Sequence, residues 1–399
     1  MESDLTVRRV SSKADIREFV DFPYRLYRDD PNWIPQLRMH ELEQFDPDRN
    51  PAFDTCEAQL YLALRGGRVV GRIAAIINRL LCEKEKKQIG RFGWFECEQD
   101  PEAAARLIGA AESWLLEEGM TEVAGPLGFS DNDPTGFLVE GFDELPTIAG
   151  SYNPPWYNDA VTSMGYTKEV DYVEYRIKVP DSLPERVEKL AGVLAARSPV
   201  KVISERSRKV LASKWGHKLF ETLNQSYTEL YGTTLLSERQ IKFYIDTYLG
   251  QVDPRFIKLA VDGDRLVGFV IAMPSLSRAF QKAKGRLFPF GALHILRGMK
   301  KTRVLDFYLA GILPEYQGKG VDMLLGYSMA KEGVARKMEF AESNRELETN
   351  TRVQAMWKFY DKRLHRRTRV YSRSLVDAPP ASGDHPGGRD DGSSGTPGT

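Results

Sequence analysis

Two blocks of this chain read as near copies of one another. Leu62-Ala63-Leu64-Arg65-Gly66-Gly67-Arg68-Val69-Val70-Gly71 and Leu259-Ala260-Val261-Asp262-Gly263-Asp264-Arg265-Leu266-Val267-Gly268 share an apolar run, a polar turn holding glycine, and a second apolar run ending in Val-Gly. Apolar, β-branched runs joined by a short glycine turn predict a β-hairpin. A hairpin recurring at the same place in two halves predicts a duplicated unit, and 399 residues exceed what one core usually serves.

Each half continues in the same style. In the first, Ala104, Leu107, Ile108, Ala111, Trp114 and Leu115 recur at helical spacing, with short strands expected near Phe92–Cys97, Glu122–Ala124, Thr147–Ala149 and Tyr172–Ile177. In the second, a strand near Val200–Ser204 precedes helical patterns at about Lys218–Tyr231 and Glu238–Leu249. A strand ending at Leu313, a helix beyond Val321, a strand at Glu339–Glu342, a helix over Thr351–Lys362 and a strand at Thr368–Ser372 follow the hairpin. Strands and helices mixed in this order predict an α+β fold of two tandem domains, 1–180 and 181–375. Residues 376–399, rich in Pro, Gly, Ser and Asp, are expected to form a disordered tail.

Charge and cysteine content narrow the function. The balance of 56 basic against 56 acidic residues argues against a general nucleic-acid binder. Cys56, Cys82 and Cys97 form neither a CxxC pair nor a metal-ligand cluster, so no metal site is expected. Few cysteines and no signal peptide or apolar run of spanning length lead us to expect a cytoplasmic protein.

The chemistry concentrates in Pro314-Glu315-Tyr316-Gln317-Gly318-Lys319-Gly320-Val321, between a strand and a helix. Glycines let the backbone approach an anion, and the helix N-terminus offers unpaired N–H groups and a favourable dipole. The segment resembles the acyl-CoA pyrophosphate loop of the GNAT superfamily of N-acyltransferases. The preceding Gly311-Ile312-Leu313 resembles the end of the family strand that pairs with pantetheine. The resemblance extends over about 200–372 and implies a mixed, mostly antiparallel sheet flanked by helices, with acyl-CoA as co-substrate. Gly311, Ile312, Leu313, Gln317, Gly318, Lys319, Gly320 and Val321 would then hold the coenzyme, with Asn350 on its pantetheine arm. Asp322 stands where the family usually has Gly or Ala, which predicts weakened or re-angled binding.

The first half resembles the same fold without the loop. Glu98-Gln99-Asp100-Pro101-Glu102 would repel a pyrophosphate, so this domain is expected to wall the acceptor site instead.

The GNAT resemblance also implies catalytic residues. In Trp357-Lys358-Phe359-Tyr360-Asp361-Lys362, Tyr360 occupies the place of the family's tyrosine acid. Glu342, at the end of a short strand, is the preferred base, with Asp306 as the other candidate. Loops at Phe129–Asp133 and Tyr152–Tyr157 are dense in polar and aromatic groups, which assigns Asn132, Asp133, Tyr152 and Asn153 to the acceptor pocket.

Residues 275–303 hold eight Lys or Arg, no Asp or Glu, and interleaved large apolar residues. Two readings stand: a peripheral membrane contact or lid over a lipid-like substrate, and a solvated loop whose cations meet the coenzyme's phosphates. The sequence thus predicts an N-acyltransferase moving an acyl group from CoA to a primary amine. The insertion suggests a lipid-like amine or a long acyl chain, and the organisation is similar to one group with such a substrate, the bacterial acyl-CoA-dependent ceramide synthases. A non-catalytic acyl-CoA sensor on the same scaffold is the alternative.

Overall fold

The computed structural model describes residues 4–131, 133–250 and 252–376; the expected tail from 377 onward and Asn132 lie outside the described residues. Among the described residues fourteen strands form one mixed sheet. They are β1 (Leu5–Arg9), β2 (Cys56–Arg65), β3 (Arg68–Asn78), β4 (Ile89–Cys97), β5 (Glu122–Gly125), β6 (Phe137–Glu140) and β7 (Thr167–Lys178) in the first half. The second half adds β8 (Lys201–Ile203), β9 (Ile257–Asp262), β10 (Arg265–Pro274), β11 (Val304–Ile312), β12 (Phe340–Glu342), β13 (Glu346–Leu347) and β14 (Lys362–Ser374).

The echo in sequence is an echo in structure. β2–β3 and β9–β10 are antiparallel hairpins, each with one register shift near its turn. In each half the hairpin's second strand pairs with a third strand, β4 or β11, which pairs in parallel with β5 or β12 after a helix. These helices, Pro101–Glu117 and Val321–Ala335, bury Leu107, Ile108 and Leu115, and Val321, Leu325 and Met329, in two separate cores. Strands that run parallel need a long crossover, here a helix in each half, so sequence order favoured this layering.

The halves then exchange strands. The sheet runs β5-β14-β7-β12, so β14 from the end of the chain completes the first half's edge and β7 borders the second half's. β7 and β14 pair along nearly their whole length, from Lys362↔Ile177 to Ser372↔Thr167.

Three local expectations need correction. Thr147–Ala149 is a turn closed by Gly150 N donating to Thr147 O, and β6 pairs with β14 instead. The helix expected over Thr351–Lys362 is one α-turn, Thr351–Gln354, followed by a 3-10 turn, Ala355–Phe359, because strand pairing already claims Lys362. The Glu238–Tyr244 helix widens into a π-turn at Ile245–Leu249 rather than continuing regularly.

The insertion 275–303 folds as two helices, Ser277–Ala283 and Gly291–Lys301. Leu276, Phe280 and Ile295 pack with Ile34, Leu37 and Ile148 of the first half. No helix among the described residues is long and apolar enough to cross a membrane.

Candidate active site

β11 and β12 stay paired only from Val304↔Phe340 to Asp306↔Glu342. Beyond that point β11 runs on to Ile312 against β10 alone, while the other chain turns away as Ser343 N donates to Tyr175 O. The two strands splay, and a continuous cavity of about 2160 Å³ opens between them and runs to the wall of the first half.

One end of this cavity is the glycine loop. Gly318 and Gly320 have φ of +72° and +80°, a region L side chains seldom adopt. Gly320 caps the Val321–Ala335 helix without any side-chain capping bond, so the first-turn N–H groups point outward from the helix mouth. Gly311, Ile312, Gln317, Gly318, Gly320, Asp322 and Asn350 border the cavity. Gln317 is fixed on both sides: its Nε2 donates to Ile312 O at 3.1 Å, and its Oε1 accepts from Arg352 at 3.2 Å. Arg352, which sequence reasoning passed over, therefore brings a guanidinium to the cradle.

Three loop residues face elsewhere. Leu313 and Val321 are buried in the core beneath the loop. Lys319 lies over the Tyr316 ring at 5.5 Å and borders a separate cleft of about 400 Å³. Its cation is on the far side of the loop from the cavity. Asn350 uses its Oδ1 to cap the following turn at Val353 N.

Tyr360 sits in extended backbone at the entry to β14 and borders the cavity. Its hydroxyl has no hydrogen-bond partner among the described residues, and burial raises its pKa. It is therefore a protonated donor at neutral pH, free to serve a bound group.

Glu342 does not reach the cavity. It is buried behind the splay, with its Oε1 3.4 Å from Arg176 and its Oε2 2.8 Å from His365 Nε2. Asp306 is fully buried beside it; Tyr308 OH donates to it at 3.3 Å, and burial pushes its carboxyl up to about 7.

Carboxylates of both halves line the cavity: Glu229, Asp322 and Glu346 from the second, and Glu41, Asp131 and Asp133 from the first. Asp133 accepts from Ser130 N at 2.9 Å and from Gln44 Nε2 at 2.5 Å, and burial pushes it up to about 6. Glu41, on the Arg38–Gln44 helix, is pushed up to about 7, and burial also raises Asp131. Arg345 pins their loop from the second half, donating to Asp133 O at 2.9 Å and Asp131 O at 3.2 Å. Tyr152 and Asn153 have structural roles away from the cavity. Tyr152 OH donates to Asp30 at 2.6 Å, and Asn153 Oδ1 accepts from Leu138 N at 2.6 Å. Among the described residues no group of three His, Cys, Asp or Glu is placed to hold a metal.

No family profile matches the chain. It is 30% identical over 376 residues to Protein YghO of Escherichia coli (strain K12), covering 92% of this chain and 95% of that one. It is 31% identical over 336 residues to the bacterial ceramide synthase of Caulobacter vibrioides (strain NA1000 / CB15N), covering 82% and 86%. The chain belongs to the bacterial ceramide synthase family of GNAT acyltransferases.

Solved structures share the fold at low identity. A tandem GNAT protein from the clavulanic acid biosynthesis pathway aligns with a TM-score of 0.54 at 11% identity, over 94% of this chain and all of that one. A GCN5-related glucosamine N-acetyltransferase region of a fungal β-N-acetylglucosaminidase gives 0.53 at 12%, over 94% of this chain and 38% of that one.

As a tandem GNAT acyltransferase the chain has two strand-to-helix junctions of the same kind, and they differ in one respect. At the first-half helix, Asp100 accepts from Ala103 N at 3.1 Å, and Arg65 clamps Asp100 and Glu102 at 2.8 and 2.9 Å. The protein's own carboxylate already occupies that helix mouth, whereas the mouth at Gly320 is open to a ligand.

The buried carboxyls also make stability pH-dependent. Each raised pKa means that the folded state holds a proton where the unfolded chain has lost it, so stability falls as pH rises from about 4 to about 7. Asp306→Asn should flatten this fall by on the order of 3 kcal/mol. Denaturant melts at pH 5 and pH 8 check it; equal pH dependence in both proteins would refute the assignment.

Proposed function

We propose that this protein transfers a long acyl group from coenzyme A to the primary amine of a lipid-like acceptor. The observation that carries the reading is one cavity joining an open anion cradle at Gly318–Gly320 to buried carboxylates and to walls of Phe269, Ile271, Leu276, Phe280 and Met299. At about 2160 Å³ it exceeds the roughly 300–1,000 Å³ typical of a small-ligand site. The ceramide synthase relative makes, by its name, an amide carrying hydrocarbon chains, which fits such a chamber.

In the proposed reaction the coenzyme's pyrophosphate lies on the loop N–H groups with Arg352 beside it, and its pantetheine enters the splay along β11. Asp133 or Glu41, with proton affinities near neutrality, takes a proton from the acceptor ammonium. The amine nitrogen attacks the thioester carbonyl, the C–S bond breaks, and Tyr360 protonates the departing thiolate. Tyr360 is reprotonated by the second proton lost from nitrogen. The balance is one amide, one free thiol and one proton released.

The test is thiol release from acetyl- and palmitoyl-CoA with long-chain amino alcohols and with short amines, products identified by mass spectrometry. Palmitoyl transfer to a long-chain amine, well above acetyl transfer to short amines, is the expected result. Exclusive use of acetyl-CoA and small polar amines would overturn the reading.

A further inference from the structure

The insertion helix Gly291–Lys301 presents two apolar faces to two different surroundings. Ile295 and Met299 look inward and border the cavity. Outward, Phe288, Phe290, Leu293 and Leu296 are 83%, 65%, 47% and 59% exposed. Exposed large apolar groups are ordinary when scattered, but four within nine residues of one hairpin form a patch that water does not favour.

The charges around the patch are one-sided. Lys282, Lys284, Arg286, Arg297, Lys300 and Lys301 are all exposed, and none has a carboxylate partner among the described residues. Arg303, at the end of the segment, is the one that pairs, with Glu339 at 2.8 Å. Elsewhere on this electrically neutral chain, exposed arginines are commonly matched, as with Arg68, Arg239 and Arg255. An amphipathic helix with bulky apolar groups ringed by unmatched cations suits the boundary of an anionic bilayer. There the rings enter the acyl region while the cations meet lipid phosphates. A second copy of the chain would bring the same cations face to face, so repulsion argues against self-association through this patch.

We infer that the Phe288–Lys301 segment docks this protein on an anionic lipid bilayer, with the same helix forming the wall between membrane and cavity. The segment packs through Ile295 and Met299 on the cluster of Leu276 and Phe280 with Ile34 and Leu37 of the first half. Ile295 and Met299 also line the cavity, so docking would set the cavity next to the lipid surface. A lipid-like substrate could then enter beneath the helix without crossing water. The inference rests on the lipid-like acceptor reading for its purpose but not for its test.

The full chain is sedimented with vesicles of phosphatidylcholine alone and with vesicles containing phosphatidylglycerol, at low and high salt. Binding to the anionic vesicles, weakened by salt and absent on phosphatidylcholine, is the expected result. Phe288→Ser with Phe290→Ser should weaken that binding about tenfold or more, and Lys300→Glu with Lys301→Glu by a similar factor. Both pairs are exposed, so melting temperature should not move. Wild type left in the supernatant with anionic vesicles at low salt would overturn the inference. So would vesicle binding that both variants retain, or a variant that changes only oligomeric state by size exclusion. Vesicle binding with no acyl transfer to any long-chain amine would leave this docking standing and sink the proposed substrate class instead.

Discussion

Gly318→Asp is expected to abolish saturable binding of CoA thioesters while leaving the fold intact. A Cβ built on Gly318 meets nothing within 4 Å, so the substitution adds no clash. The backbone at φ +72° strains any L residue, but Asp and Asn visit the left-handed region more often than most, and the strain is common to the aspartate and asparagine variants. The new carboxylate would stand in the ring of N–H groups at the mouth of the Val321–Ala335 helix, where it would stabilise the helix and repel a pyrophosphate. Gly318→Asn places the same shape there without the charge. We expect the affinity for acyl-CoA to fall by at least about a hundredfold in the aspartate variant and by under about tenfold in the asparagine variant. Titration calorimetry with a non-reactive CoA thioether measures both. Equal losses would mean that backbone shape, not anion recognition, explains the loop.

Tyr360→Phe should lower kcat by about a hundredfold or more, with KM for both substrates nearly constant, as removal of a proton donor used only in the transition state requires. The hydroxyl has no protein partner among the described residues, so the variant should be as stable as wild type, or slightly more so. A kcat within about threefold of wild type would transfer the acid role to another group. Tyr308, whose hydroxyl meets Asp306 at the root of the splay, would be examined next.

The glycine loop and both hairpins could be read in the sequence because their signals are local. Turn glycines, β-branched runs and a helix entry occupy consecutive positions. The facing of individual loop residues could not. Lys319 stacks on Tyr316 and Val321 enters the core, directions set by how the helix sits on β9 and β10. Tyr152 and Asn153 have the composition of site residues, yet they hold Asp30 and β6 in place. Buried polar side chains serve backbone partners more often than ligands, and sequence alone does not separate the two uses. Glu41 and Arg345 were invisible for the converse reason. They are commonplace surface residue types brought to the cavity only because β7 and β14 pull the halves together.

That exchange of strands restricts how anything gets in. In proteins whose site lies between two lobes, substrates usually arrive by a hinge between them. Here the junction is a run of ladder hydrogen bonds from Lys362↔Ile177 to Ser372↔Thr167, and prising it apart would break both lobes' sheets. The ladder thus opposes a hinge between the halves, and local openings in the cavity wall remain as routes. On the proposed function, the coenzyme would enter at the open helix mouth at one end, and a lipid-like partner past the Gly291–Lys301 helix at the other.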